Sequence, residues 1–153
     1  MQAYVKKQMK RHPNLKLQLV DGRKLSFIRV NDMVSKMPLS TTVLVGTWRI
    51  DCSDNYVLGS TTHMLCATNP RLHVFSMSSV GLDSWAIGGY GPDYRNVGKE
   101  LADDCEVYLK THRNLGVKVL DGMYQFDYNR LHYFKIDSTL LPADSHFINE
   151  PPS

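Results

Sequence analysis

One stretch decides the fold class: NVGKELADDCEVYLKTH, residues 96–112. Its less polar residues recur at steps of 4, 4, 3 and 4, which places on one helical face Val97, Leu101, Cys105, Tyr108 and His112. Asp93 or Asn96 can cap the start of such a helix, and Gly116 stands where it should stop. The pattern therefore predicts a helix over 96–112 that packs this face on the rest of the chain, with Cys105 as a buried, unreactive thiol.

The residues before this helix have the composition and alternation of strands. Leu15, Leu17 and Leu19 alternate with polar residues up to Asp21-Gly22, a pair that favours a tight hairpin turn. We predict strands in a hairpin at 15–30 and then at 41–50, 56–67 and 72–77, while the glycine-rich segment 79–94 is predicted to be a loop. Residues 15–78 then form a small antiparallel sheet or partial barrel.

The residues after the helix predict two more strands, at 117–120 and 131–136. Between them, Tyr128-Asn129-Arg130 reads as a turn whose N–H groups bond to Asp127. Aromatic side chains are expected to join these strands to the rest of the chain: Tyr124, Phe126, Tyr133 and Phe134. The predicted class is α+β, with a basic arm (1–13), one domain (14–137) and a tail (138–153).

Composition restricts the class of protein. The chain has 153 residues, of which 42% are hydrophobic and 22% charged, as in soluble globular proteins. No apolar run approaches the roughly 20 residues that span a bilayer, and the basic N-terminal segment leads into no secretory signal. Three cysteines without motif spacing indicate a reducing compartment, so we expect a cytoplasmic protein without a membrane partner.

Positive charge is concentrated in the first third of the chain. Residues 1–50 contain ten Lys or Arg and two acidic residues, a balance of +8, whereas residues 51–153 carry −5. This asymmetry indicates a polyanion or an acidic protein as partner. The alternative is that the charges form a solvated surface without a partner. If the partner is RNA, the expected contacts are Lys6, Lys7, Lys10, Arg11, Arg23 and Lys24.

The residues that could bind zinc or act in catalysis lack the sequence spacing that these functions need. A zinc site would need a tight Cys knuckle, which is missing among Cys52, His63, Cys66 and His73. The Cys–His pairs Cys52 with His73 and Cys105 with His112 are the enzyme alternative, but no nucleotide-binding, hydrolase or metalloprotease motif accompanies them. We therefore predict no metal, no cofactor and no catalytic activity.

A longer stretch, Glu100–Phe134, resembles the C-terminal conserved region of the YaaT/RicT family, which is also named for a yeast polymerase-suppressor protein. That region has a Cys-bearing helix followed by a run L-x-M-K-V-x-D-x-E-Y-x-F-D-x-x-K-L-x-F-Y-F. The matching residues here are Cys105, Val117, Lys118, Val119, Asp121, Tyr124, Phe126, Asp127, Leu131, Tyr133 and Phe134. Residues 15–30 and 41–64 are similar to the family's earlier strands, though less closely.

This resemblance implies a function in messenger-RNA metabolism. Bacterial members help a ribonuclease to mature messenger RNA, and none is established as an enzyme. The implied role is a cytoplasmic RNA-binding or scaffolding module with messenger RNA and regulatory proteins as partners, and with a homo-oligomer as an open alternative. The family's charged C-terminal ending and its cluster-binding cysteines have no counterparts here, so no iron–sulfur cofactor is implied. A protein–protein interaction domain without RNA binding is the alternative.

Overall fold

The computed structural model describes residues 2–152 and contains a five-stranded mixed sheet with helices around it. Its helices and strands, in chain order, are α1 (Gln2–Met9), α2 (Phe27–Ser35), β1 (Thr42–Val45), α3 (Gly59–Ala67), β2 (His73–Ser76), β3 (Gly88–Pro92), α4 (Tyr94–Thr111), β4 (Gly122–Asp127), α5 (Tyr128–Phe134) and β5 (His146–Ile148). Short 3-10 turns lie at Gly22–Lys24 and Ser138–Leu140. The predicted α+β class is confirmed, as is a helix followed by C-terminal strands.

The strands lie in the sheet in chain order, β1-β2-β3-β4-β5. The pairs β1–β2, β2–β3 and β4–β5 are parallel, and only β3–β4 is antiparallel within the described residues. The prediction of an antiparallel sheet or partial barrel over 15–78 was therefore wrong in its strand directions. Helix α3 makes the crossover that a parallel neighbour requires.

One face of the sheet is covered by α2 and α3. Alternate residues of β1 and β2 point to this face and meet both helices in one core cluster that includes Val30, Val34, Leu65, Cys66, Val74 and Trp85. The spacing of Phe27, Val30 and Val34 puts them on one side of α2, and Ser26 caps that helix through the N–H of Arg29. Burial of these side chains is the main stabilising contribution on this face.

The opposite face is covered only in part. Leu131 and Phe134 of α5 pack there with Phe126 and Phe147, and the Phe134 ring lies 4.7 Å from that of His73. The remainder is an open depression of about 480 Å³, here called the sheet groove, which is lined among others by Leu44, Phe75, Met77, Tyr90, Tyr124 and Leu141. No charged side chain lines it.

The predicted hairpin at 15–30 does not form. Residues 14–21 are irregular, and the Asp21 side chain caps the 3-10 turn at Gly22–Lys24 before α2 begins. The alternation of leucines was misleading because Leu15 is 63% exposed and these residues pair with no strand. Of the predicted strand at 41–50 only Thr42–Val45 form β1, whereas the predicted strand at 72–77 is confirmed as β2.

Two other segments were predicted with the wrong secondary structure. Residues 56–67, predicted to be a strand, contain α3, and the predicted loop 79–94 contains the central strand β3. Glycine is required in β3 because neighbouring chains approach closely: a Cβ on Gly89 would lie 1.8 Å from the carbonyl oxygen of Ser76. The glycine-rich composition therefore reflects close strand packing rather than a loop.

The C-terminal part also differs from the prediction. Residues 117–120 form no strand, and 131–136 lie mostly in α5, which starts because Asp127 accepts hydrogen bonds from the N–H groups of Asn129 and Arg130. That role of Asp127 was predicted, as was the burial of Phe126. The segment 138–153 is not a free tail, because β5 pairs with β4. Met1 and Ser153 lie outside the described residues.

The helix predicted over 96–112 exists as α4, but its predicted packing was wrong. None of its residues is buried, and none belongs to either core cluster. Val97, Leu101 and Cys105 are all exposed, so Cys105 is not a buried thiol. The chain returns beside α4, where the ammonium group of Lys118 lies 3.2 Å from Glu100 and 2.6 Å from Asp104. We call residues 93–121 the α4 hairpin.

Candidate nucleic-acid interface

The basic residues of the N-terminal arm lie on and just after α1. Lys6, Lys7, Lys10 and Arg11 are all exposed. Within the described part of the chain none of these four residues forms an ion pair. Their charges are therefore available to solvent and to an anionic ligand.

A shallow depression of about 340 Å³ brings the arm together with the 3-10 turn. Its lining includes Lys6 from the arm, Lys24 from the turn, and between them Gln18, Val20, Asp21 and Met33. Two of the six residues predicted to bind RNA thus share one concave surface although they are 18 positions apart in sequence. Gln18 and the apolar residues of this surface were not predicted from the sequence.

The acidic residue in this depression is paired with Arg23. Asp21 accepts hydrogen bonds from Arg23 Nε at 3.1 Å and Arg23 Nη2 at 3.0 Å. These side-chain bonds, together with one from the Arg23 backbone N–H, hold the pKa of Asp21 below its usual range. Arg23 is therefore less available for phosphate than predicted, and Lys24 is the turn's free cation within the described residues.

The turn is held in place by Trp48. A Cβ on Gly22 would lie 2.4 Å from Trp48 Nε1, so only glycine lets the turn approach the indole this closely. The Trp48 ring also lies 6.4 Å from that of Phe27, at the start of α2, and its Nε1–H donates to the carbonyl oxygen of Ile50 at 3.1 Å. The position of Lys24 thus depends on an aromatic contact rather than on the hairpin that the sequence predicted.

Asp51 fixes the loop that follows Trp48. Its carboxylate is 4% exposed and accepts hydrogen bonds from the backbone N–H groups of Phe27, Ser53 and Asn55. The bond from Phe27, together with those from Asn55 and Ser53, lowers the pKa of Asp51 to about 2 against the opposing effect of burial. Asp51 is therefore a structural anchor between this loop and α2.

The four residues considered as zinc ligands have separate environments. Cys52 is exposed, Cys66 is buried in the helix-covered core, and the His73 ring stacks on Phe134. Among residues 2–152 no three His, Cys, Asp or Glu side chains converge as a metal site would require. Burial raises the pKa of the Cys66 thiol to about 11, which disfavours the reactive thiolate.

A serine–histidine contact was missed by the sequence reasoning. His63 Nδ1 lies 3.0 Å from Ser84 Oγ, and both residues are exposed. No carboxylate in the described chain hydrogen-bonds to the other ring nitrogen of His63. An activated serine needs a histidine oriented by a third group, so this pair gives no support to catalysis. The Cys105–His112 alternative gains no support, because the described residues show no hydrogen bond between the two side chains and the His112 ring lies edge-on against Tyr108 instead.

No protein-family model, no curated protein and no solved structure matches this chain. The resemblance to the YaaT/RicT family therefore stays a prediction. Across residues 2–152 no helix has the length and apolar character needed to cross a membrane.

Proposed function

We propose that this chain is a non-catalytic RNA-binding module that acts in messenger-RNA metabolism in the cytoplasm. The observation that carries the proposal is the depression shared by Lys6 and Lys24, next to the exposed bases of the arm. It lies within the third of the sequence that has a charge balance of +8, whereas the remainder is negative and repels polyanions. In this proposal the lysines contact phosphates, which gives affinity without sequence preference.

The test is RNA binding as a function of salt. Wild-type protein should bind a labelled single-stranded RNA at about 50 mM salt, with an affinity that falls steeply as salt increases because bound cations are released. Replacing Lys6, Lys7, Lys10 and Arg11 by Ala should weaken binding at low salt. It should also lower the slope of log K against log salt by about 0.7 for each phosphate that the variant no longer neutralises.

A matched control removes the same charge elsewhere. Replacing the exposed residues Arg71, Arg95, Lys99 and Arg113 by Ala changes the net charge equally but leaves the arm intact. If both quadruple variants show the same decrease in affinity and slope, the binding is unspecific attraction to net charge and the arm has no special role. If wild-type protein binds no RNA at about 50 mM salt, the proposal fails.

A second pair of variants tests the turn. Lys24→Ala should weaken binding more than the double replacement of Asp21 by Asn and Arg23 by Gln, because the double replacement removes a charge pair that is neutral as a whole. Equal effects would contradict the assignment of the shared depression as the binding surface.

The second candidate is a protein–protein interaction domain, with the basic arm meeting an acidic protein surface. The specific observation in its favour is the exposed apolar side of α4, which includes Leu101 at 62% exposure. The absence of salt-dependent RNA binding, together with capture of an acidic protein that the arm variant no longer captures, would favour this function.

A further inference from the structure

The shared depression has the size of a site for one small ligand. Its volume of about 340 Å³ lies at the lower end of the roughly 300–1,000 Å³ that is usual for ligand pockets. Its walls come from the arm, from the irregular segment before the 3-10 turn, from the turn and from α2. An RNA duplex can therefore touch only its rim, whereas a single nucleotide whose base has left the stack can enter it.

Positive charge enters the depression from two elements. Lys6 and Lys24 are both exposed, and neither forms an ion pair within the described chain. The one carboxylate in the lining, that of Asp21, is neutralised by Arg23 Nη2 at 3.0 Å. A phosphate beside the depression therefore meets two available ammonium groups and no unpaired carboxylate.

Apolar side chains form the rest of the lining: Leu19, Val20, Leu25 and Met33. Leu19 and Val20 are 38% and 39% exposed, so part of this surface is open to a ligand. A nucleobase suits such a surface, because its faces are apolar while its polar groups lie on its edges. A ligand that consisted of phosphate alone would make no use of these side chains.

The segment that lines the depression also has main-chain groups that a ligand can reach. Residues 15–21 have no regular secondary structure, and within residues 2–152 the N–H and C=O groups of 16–20 form no main-chain-to-main-chain hydrogen bond. The exposed side chain of Gln18 adds a donor and an acceptor side by side. Nucleobases carry neighbouring donors and acceptors on their edges, which this segment can match.

We propose that the shared depression binds one unstacked nucleotide of a single-stranded RNA. The base lies against Leu19, Val20 and Met33, and its edge bonds to Gln18 and to the main chain of residues 18–20. Lys6 and Lys24 contact the phosphates that flank this nucleotide. The inference rests on the proposed RNA binding and adds to it a substrate class, single strand rather than duplex, and a base preference.

The charge of the lining favours RNA over an extended peptide as the ligand. Free main-chain groups would also suit a peptide that adds as a strand. A strand that satisfies only these groups leaves the ammonium groups of Lys6 and Lys24 without partners, whereas RNA supplies one phosphate per nucleotide. The balance of +8 over residues 1–50 acts in the same direction.

The first experiment compares single-stranded and double-stranded RNA of one sequence. The full chain is titrated at about 50 mM salt with a labelled RNA of about 16 nucleotides, alone and annealed to its complement. A protein that contacts only phosphates binds the duplex at least as tightly, because the duplex has the higher charge density. Contact with an unstacked base reverses this order, and we expect the single strand to bind about tenfold more tightly.

The outcomes of this experiment separate the nucleotide site from RNA binding as such. Equal or tighter binding of the duplex overturns the nucleotide site but leaves RNA binding by the arm in place. Failure of both forms to bind at about 50 mM salt overturns the proposed function, and the nucleotide site with it.

The second experiment tests the contact with the base edge. Wild-type protein should discriminate between single-stranded homopolymers of A, C and U by about fivefold or more. Gln18→Leu should reduce this ratio without changing the salt slope, because it removes a donor and an acceptor but no charge. Gln18 is exposed, so the variant should keep the wild-type circular dichroism spectrum.

Gln8→Leu is the matched control, since it makes the same replacement on α1 outside the lining of the depression. It should keep the wild-type ratio of affinities. Equal affinities of the wild-type protein for all three homopolymers would contradict the base contact. A ratio that survives Gln18→Leu, or that Gln8→Leu reduces equally, would contradict it as well.

The third experiment locates the base directly. A single-stranded RNA that contains 4-thiouridine is irradiated in the complex, and the protein is then cleaved with trypsin after Lys16 and Arg23. The thiobase should be joined to the peptide of residues 17–23, LQLVDGR, and the same label in a duplex should not react with it. Crosslinks confined to peptides of the arm or of residues 51–153 would place the base outside the depression and overturn the proposal.

Discussion

The sheet with its covering helices and the α4 hairpin differ in the interactions that stabilise them. In the sheet region the helix-covered core contains residues such as Leu72 and Ala86 that are 2% and 0% exposed. In the α4 hairpin no helical residue is buried, and the described contacts are caps and surface ion pairs. The local helix signal is clearest in the α4 hairpin, whereas α2, α3 and α5 of the sheet region were missed. The difference shows that such signals predict where a helix forms, but not whether anything in the same chain will cover it.

The largest expected difference between the two regions is in the cost of removing an apolar side chain. Phe126→Ala should reduce the free energy of unfolding by about 3–5 kcal/mol, because Phe126 is 5% exposed and packs against Phe147. Val117→Ala in the α4 hairpin, at 96% exposure, should change it by less than about 0.5 kcal/mol. Urea denaturation of both variants checks this, and equal effects would show that the aromatic cluster is not part of the stable core.

The helix caps give a matched comparison in which a smaller change in stability is expected. Asp127 caps α5 and Asp93 caps α4 in the same way, each accepting bonds from the N–H groups two and three residues later. Asp127→Ala should lower global stability by about 1–2 kcal/mol, because α5 packs on the sheet. Asp93→Ala should reduce helicity in circular dichroism with little change in the urea midpoint. A large shift of that midpoint would show that α4 unfolds together with the sheet.

The cysteines allow a third comparison, in alkaline solution. Burial raises the pKa of Cys66 to about 11 from an ordinary value of 9.0, so the unfolded thiol loses its proton at a pH where the folded thiol keeps it. Stability should therefore be unaffected below about pH 9 and decrease between pH 9 and 11, by at most about 1.4 kcal/mol per pH unit. Cys66→Ala should flatten this decrease, whereas Cys105→Ala should not. Thiol titration of native protein should label Cys52 and Cys105 and spare Cys66.

The smallest effect is expected at Lys118. Its ion pairs with Glu100 and Asp104 are solvent-exposed, and such pairs contribute little to global stability. Lys118→Ala should leave the urea midpoint unchanged but speed amide hydrogen exchange in residues 112–121, which these pairs hold beside α4. Unchanged exchange would mean that the return segment is held by other contacts.

The sequence predicted some elements well and others poorly, for physical reasons that differ by segment. The strands β1 and β2 and the helix α4 have long or strongly periodic patterns, and all three were found. The strand β3 was missed because its glycines are required by close neighbours, a constraint that exists only in the folded sheet. Helix α2 could have been found from the spacing of Phe27, Val30 and Val34, which the alternating leucines upstream obscured.

The candidate interface was partly predictable. Positive charge is a property of composition, so the arm residues could be named from the sequence. The pairing of Arg23 with Asp21, and the meeting of Lys6 with Lys24, depend on the path of residues 14–24, for which the sequence has no periodic signal. The exposure of Cys105 was beyond local pattern, since the helical spacing to which it belongs does not show whether other residues cover that side of α4.

The chain order of the strands has a consequence for synthesis of the protein. Because β1 to β5 are sheet neighbours in the order in which they are translated, each new strand joins the edge left by the one before. The longest interruption comes after β3, because residues 93–121 separate it from β4 and emerge from the ribosome over a few seconds at about 5–20 residues per second. During that time the open edge is a five-residue strand with three glycines and a proline, GGYGP. Glycine and proline disfavour strand pairing, so such a strand is a poor template for another chain. Until β4 pairs with it, the edge of the incomplete sheet therefore has a low tendency to aggregate.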